Sequence, residues 1–475
     1  MAAADADPVA PLVTVVVLNW NGSHLLPACL DTLAKQDLDP QLWQACVVDN
    51  GSTDDSRDLL ARAYPQVRVV ENRANLGFAG GNNVALRAAT TPFVALLNND
   101  AYPEPDWLRR LLAEIQAPGA ERIAAVTSKL LFEPRFVALE LETPAFRAAA
   151  DPRDLGVQIT AIEVDGADVT GEVLWDHGAY GAEAQGSRQF RWTRPRGRLM
   201  APLPRGSTGE PSERRLTVVA RSEQPKPLTI RFGDAADAEA RGDSGQPDEV
   251  RLQLTTADTR YDIAIPAGSR GVDVINNVGS FLHLPGYAAD RGYQEPDNGQ
   301  YDEPEDVFLM CGAAVGLRTA ALEEVGVFDD DFFMYYEDTD LSWRLQAAGW
   351  RIRYAPDAVV RHLHSASSGE WSPFFTFHVE RNRLLVFTKN APARFAAWLV
   401  LRFNLTTLSM ARRSLLQSVR QRRPPAVRPL LLRLRIMASY LRLLPSALLG
   451  RRRSSRIARH SPRAVFDRWL QPGRP

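Results

Sequence analysis

The chain has 475 residues, enough for two or three domains, and sets 56 lysines and arginines against 57 aspartates and glutamates for a net charge of −1. Three widely spaced cysteines, Cys29, Cys46 and Cys311, exclude a disulfide scaffold and read as reduced and buried, as suits a cytoplasmic protein. No uninterrupted apolar run approaches bilayer-spanning length, and the first seven residues lack the charged and apolar regions of a signal peptide.

The predicted elements begin with an apolar run at residues 12–18, a strand covered on both faces, since such strands are continuously apolar rather than alternating. It ends in Asn19-Trp20-Asn21-Gly22. A helical pattern over residues 24–35, a strand at 46–48 and the cluster Asp49-Asn50-Gly51-Ser52-Thr53-Asp54 follow. Strand, helix, strand predicts a parallel α/β sheet, in which ligands bind just beyond the carboxyl ends of the strands. Both polar loops, holding Asn19, Asn21, Asp49, Asn50, Gly51 and Ser52, therefore face one crevice. A third strand, 67–70, leads into Asn75-Leu76-Gly77-Phe78-Ala79-Gly80-Gly81-Asn82-Asn83. Its glycines lack the dinucleotide spacing, yet small residues opening a helix allow close approach of a ligand, and the helix start favours an anion. A fourth strand, 93–97, runs into Asn98-Asn99-Asp100. Asp100 is placed either to hold a hard divalent cation bridging a diphosphate or to serve as a turn residue ahead of Pro103.

Residues 134–271 are rich in Asp, Glu, Gly and Pro and contain short alternating runs at 157–164, 215–220 and 250–254. These predict an inserted β domain, sandwich-like, between the two parts of the α/β domain at 1–133 and 272–390. Trp175, Tyr180 and Trp192 are either a sugar platform or core aromatics.

Residues 332–344 carry three carboxylates between an aromatic run, Phe332 to Tyr336, and a helix start marked by Leu341, Trp343 and Leu345. Bulky apolar neighbours put Glu337 and Asp338 in a partly dry pocket, where a carboxylate becomes a useful base. Helix capping by Asp338 is the alternative. The tail, 391–475, is arginine-rich with Asp467 as its only acid and has apolar clusters between the arginines. Basic amphipathic helices of this kind lie on anionic membrane surfaces; a solvated appendage or a nucleic-acid-binding tail are the alternatives, and no nucleic acid is expected as a partner.

The motifs Val16-Val17-Leu18-Asn19-Trp20-Asn21-Gly22, Val48-Asp49-Asn50-Gly51-Ser52-Thr53-Asp54, the Asn75 to Asn83 stretch, Leu97-Asn98-Asn99-Asp100-Ala101, Cys311-Gly312-Ala313-Ala314 and Tyr336-Glu337-Asp338-Thr339-Asp340 stand in one order along the chain. In that order they resemble the inverting nucleotide-sugar glycosyltransferases of family 2, with the GT-A fold, and especially their rhamnosyltransferase-like branch. The resemblance covers residues 12–133 and 273–390. It implies an α/β GT-A fold with a mostly parallel sheet, and a transferase of hexosyl or deoxyhexosyl groups acting on a glycan or lipid-linked acceptor, here in cell-surface polysaccharide synthesis at the inner face of the cell membrane. It further implies Asp338 as general base and Asp49 on the nucleotide, with Asn19, Asn21, Asn50, Gly51, Ser52, Asn75, Gly77, Asn82 and Asn99 around the donor. Glu337 and Trp343 fall on the acceptor side. Asp100 matches the last acid of the family's DxD element, and His364 matches a histidine that completes the metal site in some members; a structural role is the alternative for either His362 or His364. Asn98 replaces the first DxD acid, so a Mg²⁺ or Mn²⁺ ion would be held by fewer carboxylates. That departure leaves a non-catalytic nucleotide-sugar or glycan-binding protein as the second reading.

Overall fold

The computed structural model describes residues 10–148, 151–175, 178–204, 214–233, 249–266, 271–284, 286–363, 372–422, 424–425 and 427–471. It divides into two compact units, one drawn from 1–131, 275–293 and 299–475, the other from 132–274 and 294–298.

The first unit opens with β1 (Val13–Asn19), α1 (Leu26–Leu33), β2 (Trp43–Asp49), α2 (Ser56–Ala63), β3 (Arg68–Glu71), α3 (Gly77–Ala88), β4 (Phe93–Asn98), α4 (Trp107–Gln116) and β5 (Ile123–Phe132). After the second unit it continues with β6 (Ala314–Arg318), α5 (Thr319–Val325), α6 (Glu337–Ala347) and β7 (Arg351–His362). The central path of its sheet runs β3–β2–β1–β4–β6–β5–β7. The strands β3, β2, β1 and β4 are parallel, whereas β6 runs antiparallel to both β4 and β5. This is an α/β arrangement with a mostly parallel sheet. The alternation along β1 explains its uniformly apolar sequence: Val13, Val15 and Val17 pack with α1 and α4, while Val16 packs with α3 on the other face. Each such fully buried valine or leucine contributes about 1.5–3 kcal/mol, so both helical layers hold the sheet.

The helical region is α7 (Pro373–Asn390), α8 (Ala393–Gln421), α9 (Val427–Ile457) and α10 (Pro462–Trp469). These helices share a core with the rest of the first unit: Leu399 and Phe403 of α8, Ile436 and Tyr440 of α9 and Val465 of α10 pack with Phe308, Trp343 and Phe387. No helix among the described residues is long and apolar enough to cross a membrane.

The second unit is built from two antiparallel sheets. One contains Phe136–Glu142, Arg196–Pro202, Lys226–Phe232 and Glu249–Leu254, and the other is centred on Gln158–Val164 and Arg215–Arg221. Leu139, Leu141 and Ile230 from the first meet Ile162, Leu216 and Val218 from the second in one apolar cluster, as in a sandwich. Trp192 is buried and stacks on Phe146, which makes it core.

Candidate active site

Parallel register sets the carboxyl ends of β1, β2 and β4 side by side, Asn19 opposite Asp49 and Leu18 opposite Asn98. The loops that follow are tied to one another. The Asn21 backbone N–H donates to Ser52 Oγ at 2.9 Å, Asn21 Oδ1 accepts from the Thr53 N–H at 2.7 Å, and Asn99 Nδ2 donates to Asn19 Oδ1 at 2.9 Å. Asn21 takes a left-handed φ of 50° to close this link. Asp49 is fully buried at the centre: its Oδ2 accepts from the Ser52 N–H and pairs with Arg57 Nε, both at 3.2 Å. Its Oδ1 has no hydrogen-bond partner within the described chain. A buried carboxylate oxygen left bare costs free energy unless something else meets it.

Several motif residues turn inward instead. Asn50 Nδ2 donates to Asn75 Oδ1 and to the Gly77 carbonyl, and Asn50 Oδ1 accepts from Asn72 Nδ2 and the Leu76 N–H. Asn75 Oδ1 also accepts from the Gly77 N–H, and buried Asn82 donates to the Phe78 carbonyl one turn back. These asparagines build the loop and helix start that frame the site. Gly51 and Gly77 both have positive φ, and a Cβ on Gly77 would land on the Phe333 carbonyl oxygen.

That carbonyl belongs to the strained approach to α6. Phe333, Tyr335 and Tyr336 all have φ between 65° and 68°, which costs a non-glycine residue about 1 kcal/mol or more. The strain is held by α7. Asn382 Nδ2, fully buried, donates to the carbonyls of Phe332, Met334 and Tyr335 at 2.7–2.9 Å, and Arg381 Nη2 donates to those of Asp331 and Phe332. Below it, fully buried Asp340 pairs with Arg344 Nε and Lys389 Nζ, each at 2.9 Å. Burial alone would raise its carboxyl, but the two cations win and bring it down to about 2, a fixed charge that anchors α6.

Glu337 and Asp338 open α6 from this clamp. Asp338 is partly buried and accepts from the Thr339 N–H at 2.6 Å. Burial pushes its carboxyl up to about 6; the Thr339 N–H opposes the rise and Asp290 adds to it. Gly312, just before β6, has no side chain, and a Cβ there would sit 3.0 Å from the Phe78 ring and 3.9 Å from Asp338 Cβ. Buried Glu337 has one oxygen, Oε2, without a partner, and its carboxyl is pushed well above the ordinary range, first by burial and then by the Asp338 charge. Trp343 does not face an acceptor. It is 1 % exposed, with Phe308 and Phe387 edge-on to its ring at 5.5 and 5.4 Å, so the acceptor-side expectation is corrected to a core role.

At the end of β7, His362 Nε2 lies 3.1 Å from Asp100 Oδ1, its Nδ1 lies 3.0 Å from Asn276 Oδ1, and Asn98 Nδ2 lies 3.5 Å from Nε2. His362 is thus the histidine on Asp100, while His364 lies outside the described residues. Among the described residues no group of three His, Cys, Asp or Glu side chains is set to hold a metal. Asp290, His362 with Asn276, and Asn382 are site residues that the motifs did not mark. Asn382 had no such signal, since it sits in the charged stretch Glu380-Arg381-Asn382-Arg383 ahead of the apolar run Leu384-Leu385-Val386-Phe387.

Residues 14–129 match the model of glycosyl transferase family 2, and residues 294–449 match that of glycosyl transferase family group 2. Validoxylamine A glucosyltransferase of Streptomyces hygroscopicus subsp. limoneus is 30% identical over 116 residues, 24% of this chain and 26% of that protein. The N-acetylglucosaminyl-diphospho-decaprenol L-rhamnosyltransferase of Mycobacterium tuberculosis is 42% identical over 69 residues, 14% of this chain and 22% of that protein. This chain thus spans about a quarter of the length of these relatives. Among solved structures, the mannosyltransferase of Pyrobaculum calidifontis in complex with GDP-Man and Mn²⁺ aligns over 94% of this chain and 89% of that one, with 15% identity and a TM-score of 0.37.

Proposed function

From a chain built on a family 2 glycosyltransferase domain, we propose an inverting enzyme that moves a hexosyl or deoxyhexosyl group from a nucleotide-diphosphate donor to a hydroxyl of a glycan or lipid-linked acceptor. The observation that carries this reading is the Asp338 carboxyl, raised to about 6 beside Gly312, which has no side chain to crowd it. Such a group is ionised at neutral pH and still basic enough to take a proton as a hydroxyl attacks.

The donor's base or ribose meets the bare Asp49 Oδ1, whose partner Oδ2 is already fixed by Ser52 and Arg57. Asp100 would hold the cation through its carboxylate, the oxygen donor that Mg²⁺ and Mn²⁺ take, with the His362 ring nitrogen beside it at 3.1 Å. When bound, a divalent ion offsets the charge growing on the departing diphosphate. The acceptor oxygen attacks the anomeric carbon from the face opposite the diphosphate, Asp338 takes its proton, and the bond to the diphosphate breaks with its electron pair. One displacement inverts the anomeric centre, so no covalent enzyme intermediate is required.

The rhamnosyltransferase relative, named for a diphospho-decaprenol acceptor, supports a lipid-linked substrate and a role in cell-surface polysaccharide synthesis at the cytoplasmic face of the membrane. The arginine-rich helices support peripheral attachment there. The test is release of nucleoside diphosphate from a panel of nucleotide-sugars by the purified chain. Release by the wild type and its loss in Asp338→Asn is expected. Donor binding without release from any donor would instead favour the non-catalytic reading.

A further inference from the structure

Apolar side chains left uncovered concentrate on α8 and α9. At about 100° per residue, Leu401, Leu405, Leu408, Leu415, Leu416 and Val419 fall in one stripe along about five turns of α8. They are 56–80% exposed. The opposite face of the same helix, Ala396, Leu399 and Phe403, is buried in the core of the first unit. α9 repeats the arrangement: Val427, Leu434, Leu441 and Leu448 recur every seven residues and lie exposed, while Ile436, Tyr440 and Ala447 are buried on its other side. Each helix is therefore apolar on two opposite faces and covered on one. An amphipathic helix at an ordinary protein surface has a single apolar stripe, facing the core.

Charge decides between occupants of the uncovered stripes. Exposed Arg428, Arg435 and Arg442 each follow a stripe residue of α9 by one position, exposed Arg402, Arg413 and Arg420 flank the stripe of α8, and exposed Arg412 falls within it. Neither helix contains an Asp or Glu. A second copy of this surface would set arginine against arginine with no acid to pair them. An anionic bilayer offers phosphates to the arginines and acyl chains to the leucines at the same depth.

We propose that α8 and α9 lie in the plane of an anionic membrane surface, with the leucine stripes in the acyl boundary and the flanking arginines on lipid phosphates. This rests on the peripheral attachment read above and assigns it to two helix faces, with no spanning segment. It also makes attachment require both terms, since arginines alone would hold the protein only at low salt.

The test uses the full chain and vesicles of phosphatidylcholine, alone or mixed with phosphatidylglycerol, in a flotation assay with donor hydrolysis and melting temperature measured on the same samples. Wild type should float with the mixed vesicles only. The triple change Leu405→Ser, Leu408→Ser, Leu415→Ser and the triple change Arg402→Gln, Arg413→Gln, Arg420→Gln should each lower partitioning roughly a hundredfold. Hydrolysis and melting should not move, because the leucines are exposed and none touches the active site. Undiminished flotation of the leucine variant would overturn the stripe assignment while leaving attachment in place. Wild type that floats with no vesicle would overturn both, and a wild-type dimer made monomeric by the leucine changes would assign the stripes to a second copy instead. Hydrolysis absent from the wild type would strike the glycosyl-transfer reading alone.

Discussion

Replacing Asp338 by asparagine removes the central carboxylate with little steric change. The asparagine oxygen can still accept from the Thr339 N–H that lies 2.6 Å away, so α6 should begin where it does now. The loss of the proposed proton acceptor should lower turnover by roughly two to four orders of magnitude, and donor affinity should hold because the proposed donor contacts lie on the Asp49 and Asp100 loops. The same change should stabilise the fold at neutral pH. Burial first, then the nearby Asp290, lifts the carboxyl from its ordinary 3.8 to about 6 against the pull of the Thr339 N–H. Holding it ionised in the folded state then costs about 3 kcal/mol. The folded chain binds this proton more tightly than the unfolded chain does. Its contribution to stability is therefore complete below pH 3.8, declines as pH rises toward about 6, and stays lost above that. Asparagine has no such decline. In thermal denaturation across this range, the variant should melt with the wild type at the acid end and above it at neutral pH. Near-normal turnover, or a melting advantage that shrinks as pH rises, would refute the reasoning.

The wild-type kcat/KM for donor hydrolysis should rise with pH through about 6 as Asp338 ionises; a flat profile across that region would remove it as the titrating base. Asp100→Ala should weaken donor binding with Mg²⁺ or Mn²⁺ present and change little with chelator. If the wild type binds donor equally in both conditions, the site works without metal. Asn382→Leu removes one donor from each of three backbone carbonyls, of which that of Phe332 keeps Arg381, and a carbonyl left buried and bare costs about 1–3 kcal/mol. Lower melting temperature and lower kcat with donor KM nearly constant are expected, and calorimetry plus kinetics that match wild type would dismiss the clamp. Replacing residues 134–271 by a short Gly/Ser linker should leave donor hydrolysis intact, and loss of folded protein would show that the second unit completes the first.

The strands beneath the site were legible because β1, β2 and β4 are covered on both faces and so read as unbroken apolar runs ending in polar loops. Which way each loop side chain points was not legible. Asn50 and Asp49 are adjacent and both polar, yet Asn50 satisfies four partners inside the loop and Asp49 keeps an oxygen bare. Trp343 follows Glu337 and Asp338 by about a helical turn and a half, and only packing against Phe308 and Phe387 reveals it as core. Asp290 and Asn382 reach the site from elements distant along the chain, where no local pattern marks them. The basic tail read as a surface segment because its arginines dominate the composition. Its second apolar face, which joins the core around Phe387, emerges only when exposed and buried leucines are separated on each helix.

The stereochemistry of transfer tests the central claim most directly. With a donor of known anomeric configuration, proton NMR of the first sugar released or transferred, recorded before mutarotation, should show the opposite configuration from the donor. Retention would contradict a single displacement assisted by Asp338 and would require a nucleophile that this site does not assign.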